Sequence, residues 1–264
     1  MARLSAVQVM KGLARIVAAK PRVPKALEGN AMLRTILERR SVRRFKPEAI
    51  PEEHWLAILE AGRTAPCTVN LQSWSFAHFT AESWKATFDR RIPFDAPRAI
   101  IVLADGHRPR RAIPEFPEAP LCEYTVAVMN ASLAAMNMCM AAESLGLATV
   151  MLSETGRTGF YDSAYLGEVL DLPERVTPIM TIACGWPVAG APAMPPKLPL
   201  EVVAFEGGYR EATDAELEEW MLQMRAGYQA GHRGEDFSAK IAHYARRIDE
   251  AESALKQRVA SLME

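Results

Sequence analysis

Four arginines fall within six positions of the stretch RRSVRRF, residues 39–45: Arg39, Arg40, Arg43 and Arg44, with Ser41 and Val42 between them. Guanidinium forks match phosphate oxygens in shape and charge, and a serine hydroxyl adds a donor. A nucleic acid, a membrane surface or a run of surface carboxylates would also use such charge, and alone the cluster reads most often as a solvated face. A second stretch, TAPCTVNLQSWSF (64–76), follows a helical pattern. There Pro66 sets a turn, and Cys67, Thr68, Asn70 and Gln72 supply small polar groups. Amide side chains offer both a donor and an acceptor, which suits the edge of a heterocycle carrying C=O and N–H groups. By itself this stretch is a polar turn capping a strand. A third, DGHRPRRAIPEFPEAP (105–120), carries His107, Arg108, Arg110 and Arg111 among four prolines and reads as an exposed loop.

Several other chemistries lose support. The chain lacks G-x-G-x-x-G after a strand, G-x-x-x-x-G-K-[ST], H-E-x-x-H and G-x-S-x-G, so any phosphate must be held by side-chain cations. Cys67, Cys122, Cys139 and Cys184 stand far apart without histidines at ligand spacing, which predicts reduced thiols and no metal site. The net charge of −1 over 264 residues argues against a dedicated nucleic-acid binder. The charge is uneven, with twelve Lys or Arg against three Glu in residues 1–50. Residues 1–25 contain no acid, and Leu4, Val7, Met10, Leu13 and Val17 recur at helical spacing. A transit peptide or a membrane-surface helix has this look. The plainer expectation is a helix packed on its own protein or on a partner. No run of about 18 apolar residues is evident, and no membrane span is expected.

The elements that must position these residues follow from periodicity. Residues 31–39 and the stretch after Pro51 (EEHWLAILEAGR) read as helices, and residues 121–145 as a long helix apolar on nearly every face, ended by Gly146. SFAHFT, AIIVLA, ATVMLS and PIMTIACG read as strands, the last two as central ones, with a short helix DSAYLGEVLDL between them. EVVAF (201–205) is a further strand candidate. Thr213 and Glu216 form a capping-box pattern, and a final helix over 236–262 carries Ile241, Ile248, Leu255 and Leu262 seven apart. The fold class is α/β, with helices covering a sheet of about five strands.

The order RRSVRRF, helix, APCTVNLQSW, strand, then LGLATVMLS after a long helix and a strand ending ACGWP, resembles the nitroreductase superfamily over residues 30 to 205. The resemblance implies a three-layer α+β fold, an intertwined homodimer, FMN as cofactor and NAD(P)H as electron donor. It divides the chain into an N-terminal helical extension (1–30), an FMN-binding domain (31–207) and a C-terminal helical extension (208–264). Residue by residue, it implies that Arg39, Arg40, Ser41 and Arg43 bind the FMN phosphate and pyrimidine edge, with Lys197 closing on the phosphate. It implies that Pro66, Cys67, Thr68 and Asn70, with Gln72 in the same motif, reach the flavin of the partner subunit. Leu152 and Ser153 are implied to face flavin N5 and O4. The sequence departs from the pattern where Cys67 replaces serine and Ser73 replaces proline.

The expected activity is hydride transfer from NAD(P)H through flavin N5 to a small conjugated or aromatic acceptor such as a nitroarene, quinone or enone, in ping-pong order, in the cytoplasm. No separate catalytic acid or base is expected. Arg108, Arg110 and Arg111 are candidates for an acidic substrate or the extra phosphate of NADPH, and Trp220, Tyr228 and His232 are weaker pocket candidates. Reductive dehalogenation, fragmentation of the flavin, or flavin binding without turnover are alternatives within the same fold.

Overall fold

The computed structural model describes residues 3–188, 190, 192–232 and 237–260, with side chains through 256. In order these residues form α1 (Ala6–Ala18), α2 (Ala31–Glu38), α3 (Glu52–Arg63), β1 (Trp74–Thr80), α4 (Ala81–Phe88) and β2 (Arg98–Asp105). Then follow α5 (His107–Ala112), α6 (Pro120–Ser144), β3 (Ala148–Leu152), α7 (Ser163–Val169), β4 (Val176–Gly185), α8 (Leu200–Val203), α9 (Asp214–Gly231) and α10 (Phe237–Ala260). They fall into two compact units, one of residues 30–192 with the chain from 247 on, the other of 1–29 with 193–246.

The larger unit is built on a four-stranded sheet of order β1-β2-β4-β3, antiparallel throughout. Side chains alternate across a strand, so a strand buried on both faces reads as an unbroken apolar run. In β2, Ile100, Val102 and Ala104 join Trp55, Ile58 and Met138 of α3 and α6 in one core. Ala99, Ile101 and Leu103 join Trp84, Phe88 and Leu166 of α4 and α7 in the other. The result is three layers, helix, sheet and helix.

Helix boundaries follow the expected chemistry. Glu52 and Glu53 occupy the first turn of α3 after Pro51. Gly146 takes φ +79°, a left-handed value that ends α6 and that glycine adopts without a Cβ clash, and Leu147 N–H then reaches back to the Ala142 carbonyl at 3.0 Å.

Two expectations change. Residues 201–205 are not a strand: the chain turns through α8 after Pro199, so the sheet has four strands among the described residues rather than about five. β3 is an edge strand, not a central one. By length and composition α6 would also suffice to cross a membrane, as the core helix of a globular unit can. Half of an 18-residue window within it is buried in the chain, against α3 and the sheet.

In the smaller unit α1 packs on α9, where Gly12 meets the Ala226 methyl and Arg15 pairs with Glu219. Leu4 is buried, but Val7, Met10 and Val17 are exposed, so the apolar stripe of α1 is not the face that α9 covers. Thr213 and Glu216 form the capping box of α9. Ile241 and Ile248 are half exposed on α10, and Leu262 lies outside the described residues.

Candidate functional site

The arginine-rich segment runs along the outer edge of β3. Ser41 pairs with Thr149 in parallel fashion, and Val42 N–H donates to the Thr149 carbonyl at 3.0 Å. Further along, Phe45 pairs with Pro187, just past the end of β4. The segment is thereby stretched between the outer strand and the exit of its neighbour.

Its arginines then divide. Arg40 is buried and turns back on its own backbone, donating from Nη1 to the carbonyls of Leu37 at 2.8 Å and Arg39 at 2.7 Å. It neutralises the carbonyl-rich end of α2. Arg39 and Arg43 have no hydrogen-bonded carboxylate among the described residues. Arg43 is exposed, touches its own loop at the Ser41 carbonyl (3.3 Å) and lies 5.9 Å over the Phe94 ring.

Beneath this edge lies a polar pair with no counterpart in the sequence reading. Glu143, near the end of α6, accepts from Thr149 N at 3.3 Å and from its hydroxyl at 3.2 Å. Burial pushes the Glu143 carboxyl above its usual range, opposed by those hydrogen bonds and by the Arg39 charge. Cys139 and Cys184 are buried nearby, and burial raises Cys139 to about 12.

β3 ends on Leu152, which is buried, and the loop after it opens with Ser153, which is exposed. Gly159 crosses this backbone so closely that a Cβ there would lie 2.7 Å from the Leu152 carbonyl oxygen. Tyr161 N–H donates to the Ser153 carbonyl at 3.1 Å. The strand end is held as a tight cradle that only glycine permits at 159.

The second motif is a loop with three non-glycine residues at left-handed φ: Val69 at 49°, Asn70 at 56° and Gln72 at 48°. For β-branched Val69, which is 86% exposed, such a conformation is strained and packing does not enforce it. The loop is anchored from behind by Asn130, whose Oδ1 accepts from Thr68 N at 3.1 Å while its Nδ2 donates to Ser73 Oγ at 2.7 Å. Asn130 is 1% exposed among buried α6 positions that are otherwise Ala, Met and Cys, and nothing in the sequence set it apart from Ser132 and Asn137 on the same helix. Cys67 is half buried and its Sγ accepts from Gln72 N at 3.4 Å. Gln72 reaches Asn70 at 3.5 Å, and Pro66 is exposed.

The two motifs do not meet within one chain. Asn130 and Glu143, their respective neighbours, are 13 residues apart on one helix, or about 20 Å along its axis at 1.5 Å per residue. Lys197 is exposed in an irregular stretch of the smaller unit. In that unit Tyr228 and His232 stack on each other at 4.2 Å.

The loop expected at 105–120 contains the short helix α5 and is braced rather than free. Arg108 binds the Asp105 carboxylate at 3.0 Å and the Trp74 carbonyl. Arg110 pairs with Glu118 and with Glu123 at 3.3 Å. Internal acids therefore occupy two of the three arginines proposed for a substrate, and Arg111 remains exposed.

The sequence model of the Nitroreductase family matches residues 36–92 and 85–186, more than half of the chain. The chain is 27% identical over 205 residues to "NADPH-flavin oxidoreductase" of Vibrio harveyi, covering 75% of this chain and 83% of that one. It is 26% identical over 240 residues to "FMN reductase [NAD(P)H]" of Bacillus subtilis, covering 83% and 92%. Among solved structures, nitroreductase A of Vibrio parahaemolyticus has a TM-score of 0.68 over 82% of this chain and 91% of that one, at 22% identity, which speaks for the fold. The matched segment contains both motifs and the sheet that carries them, and the chain belongs to the nitroreductase family.

Proposed function

We propose that this protein is an NAD(P)H-dependent FMN oxidoreductase acting on a small conjugated or aromatic acceptor. The observation that carries the reading is the pair Arg39 and Arg43, two guanidiniums without a hydrogen-bonded carboxylate among the described residues, flanking Ser41 on the β3 edge. That donor set fits a phosphate, and the Leu152–Ser153 turn packed under Gly159 fits the close approach of a flat ring to backbone. Relatives with FMN or flavin in their names support the choice of cofactor.

FMN, once bound, supplies the hydride chemistry. The chain's own residues bind and orient it. Arg39 and Arg43 hold the phosphate and place positive charge where a reduced flavin is anionic, with Ser41 as a further donor. Leu152 and Ser153 present backbone to the reactive edge. Arg40 shapes the segment by holding the end of α2. Pro66, Cys67, Thr68, Asn70 and Gln72 serve the site of a second copy, since one chain separates the two motifs by about 20 Å along α6. Lys197 is the candidate for closing on the phosphate. Electron donor and acceptor occupy the same pocket in turn, which is ping-pong order. Four free thiols suit a reducing compartment, the cytoplasm.

The test is the visible spectrum of the purified protein, followed without oxygen as NADH and then NADPH is added. A flavin spectrum that bleaches supports the reading. A colourless protein that takes up no added FMN sinks it. Arg43→Ala removes a charge-assisted contact worth about 1.5–3 kcal/mol, so FMN should bind about tenfold or more weakly.

A further inference from the structure

Beside the strained Thr68–Ser73 loop lies a half-open cavity of about 190 Å³ that shares only Thr68 with the flavin reading. Its walls are almost wholly apolar, formed by Leu71, Pro109, Phe116, Pro117 and Val126, with Thr68 at one end. An apolar cavity of about 150 Å³ is enough to take up benzene. The polar groups around it are already satisfied. Ser73 Oγ receives Asn130, and Thr68 N donates to the same amide. Arg110 and Glu123, also on the wall, pair with each other at 3.3 Å. A charged ligand would find no free counter-charge, and a neutral ring would lose no hydrogen bond by entering.

One wall is the segment from Gly106 to Ala119, and four charges in a closed ring hold it down. Arg110 and Arg175 each pair with both Glu118 and Glu123. Arg175, just before β4, binds Glu118 at 2.9 Å and Glu123 at 2.5 Å. Three of the four are largely buried, at 15–19% exposure of the side chain, and Glu118 is 58% exposed. Opening the segment means breaking pairs that are mutually reinforced, and closing it restores them around whatever occupies the cavity.

We propose that this cavity is a binding site for a small uncharged ring compound, with residues 106–119 as its lid and the Arg110–Glu118–Arg175–Glu123 ring as its latch. The site goes beyond the flavin reading, and its test needs no turnover. An occupant would press on Thr68 and Leu71, either side of left-handed Val69 and Asn70.

The experiment is fluorine NMR on the purified protein with its native flavin content, using fluorobenzene and 4-fluorobenzoate as probes. Fluorobenzene should bind saturably, and 4-fluorobenzoate at least tenfold more weakly. Val126→Trp and, from the opposite wall, Leu71→Trp each fill the cavity and should abolish fluorobenzene binding, with circular dichroism confirming the fold. Arg175→Gln should speed fluorobenzene exchange several-fold while leaving its affinity within about twofold. Absence of saturable fluorobenzene binding overturns the proposal, as does binding that survives in whichever filled variants fold. Equal binding of the benzoate overturns the assignment of a neutral ligand, and an unchanged exchange rate in Arg175→Gln overturns the latch. A protein without flavin that still binds fluorobenzene leaves this site standing while the flavin reading falls.

Discussion

Asn130 is the one amide among the buried positions of α6, which are otherwise Ala, Met and Cys, and it fixes the conformation of a loop 62 residues away. Its amide satisfies the Thr68 N–H and the Ser73 hydroxyl together. Asn130→Ala leaves both without their partner and should destabilise the protein by about 1–3 kcal/mol, read from the shift in its urea midpoint. The cysteines give a second residue-scale prediction. Cys139 and Cys184 are buried with thiols pushed up by burial, while Cys122 is exposed and Cys67 half buried. The thiolate is the reactive form. A maleimide at neutral pH should therefore label Cys122 and Cys67, leaving Cys139 and Cys184 until the protein unfolds. At this scale residue types were legible in the sequence, but partnership was not. Arg39, Arg40 and Arg43 look alike as letters, yet Arg40 is spent on the backbone of α2 and the other two are not. The difference arises from where the helix ends.

At the scale of elements, local signals were read well and context-dependent ones were not. The α9 capping box was visible as Thr213 and Glu216 because both partners lie within one turn. Structure adds Arg210, which hydrogen-bonds the Glu216 carboxylate at 3.0 and 3.2 Å. Those bonds, with the Thr213 N–H, lower Glu216 from 4.5 to about 2. A carboxylate held below its unfolded value contributes stability above the unfolded value and loses it as pH falls through the folded one. Thermal melts of wild type and Glu216→Gln should thus differ at pH 6 and converge as pH falls from about 4.5 to 2. By contrast, EVVAF (201–205) reads as a strand in the sequence and is not one in the fold. β-propensity expresses fit to a half-buried pleated surface, and no neighbouring strand is offered there, so Pro199 starts a helical turn instead. The placement of β3 at an edge depended on strand order, which a short apolar run does not encode.

At the scale of the molecule, α6 retains an uncovered apolar stripe. Met129, Leu133 and Met136 follow at spacings of four and three, and are 56%, 45% and 38% exposed. Helical side chains at these spacings share one face. Under the proposed two-chain site this stripe is covered by a second copy. Leu133→Asp with Met136→Lys should then yield a monomer by sedimentation, with FMN bound at least tenfold more weakly; a variant that stays dimeric or keeps its flavin affinity would contradict the arrangement. The sequence alone determined the longer helices with the α9 capping box, the positions of the four strands that form the sheet and the paired motifs, because each depends on contacts between residues near in the chain, but it left out the short helices α4, α5 and α8. Only the tertiary structure decided which arginines lack a hydrogen-bonded carboxylate among the described residues, that Asn130 and Glu143 support the two motifs, and that these motifs stand about half the length of α6 apart. Those outcomes depend on strand order and on which groups become buried together, and contacts over long sequence separations leave no local period to read.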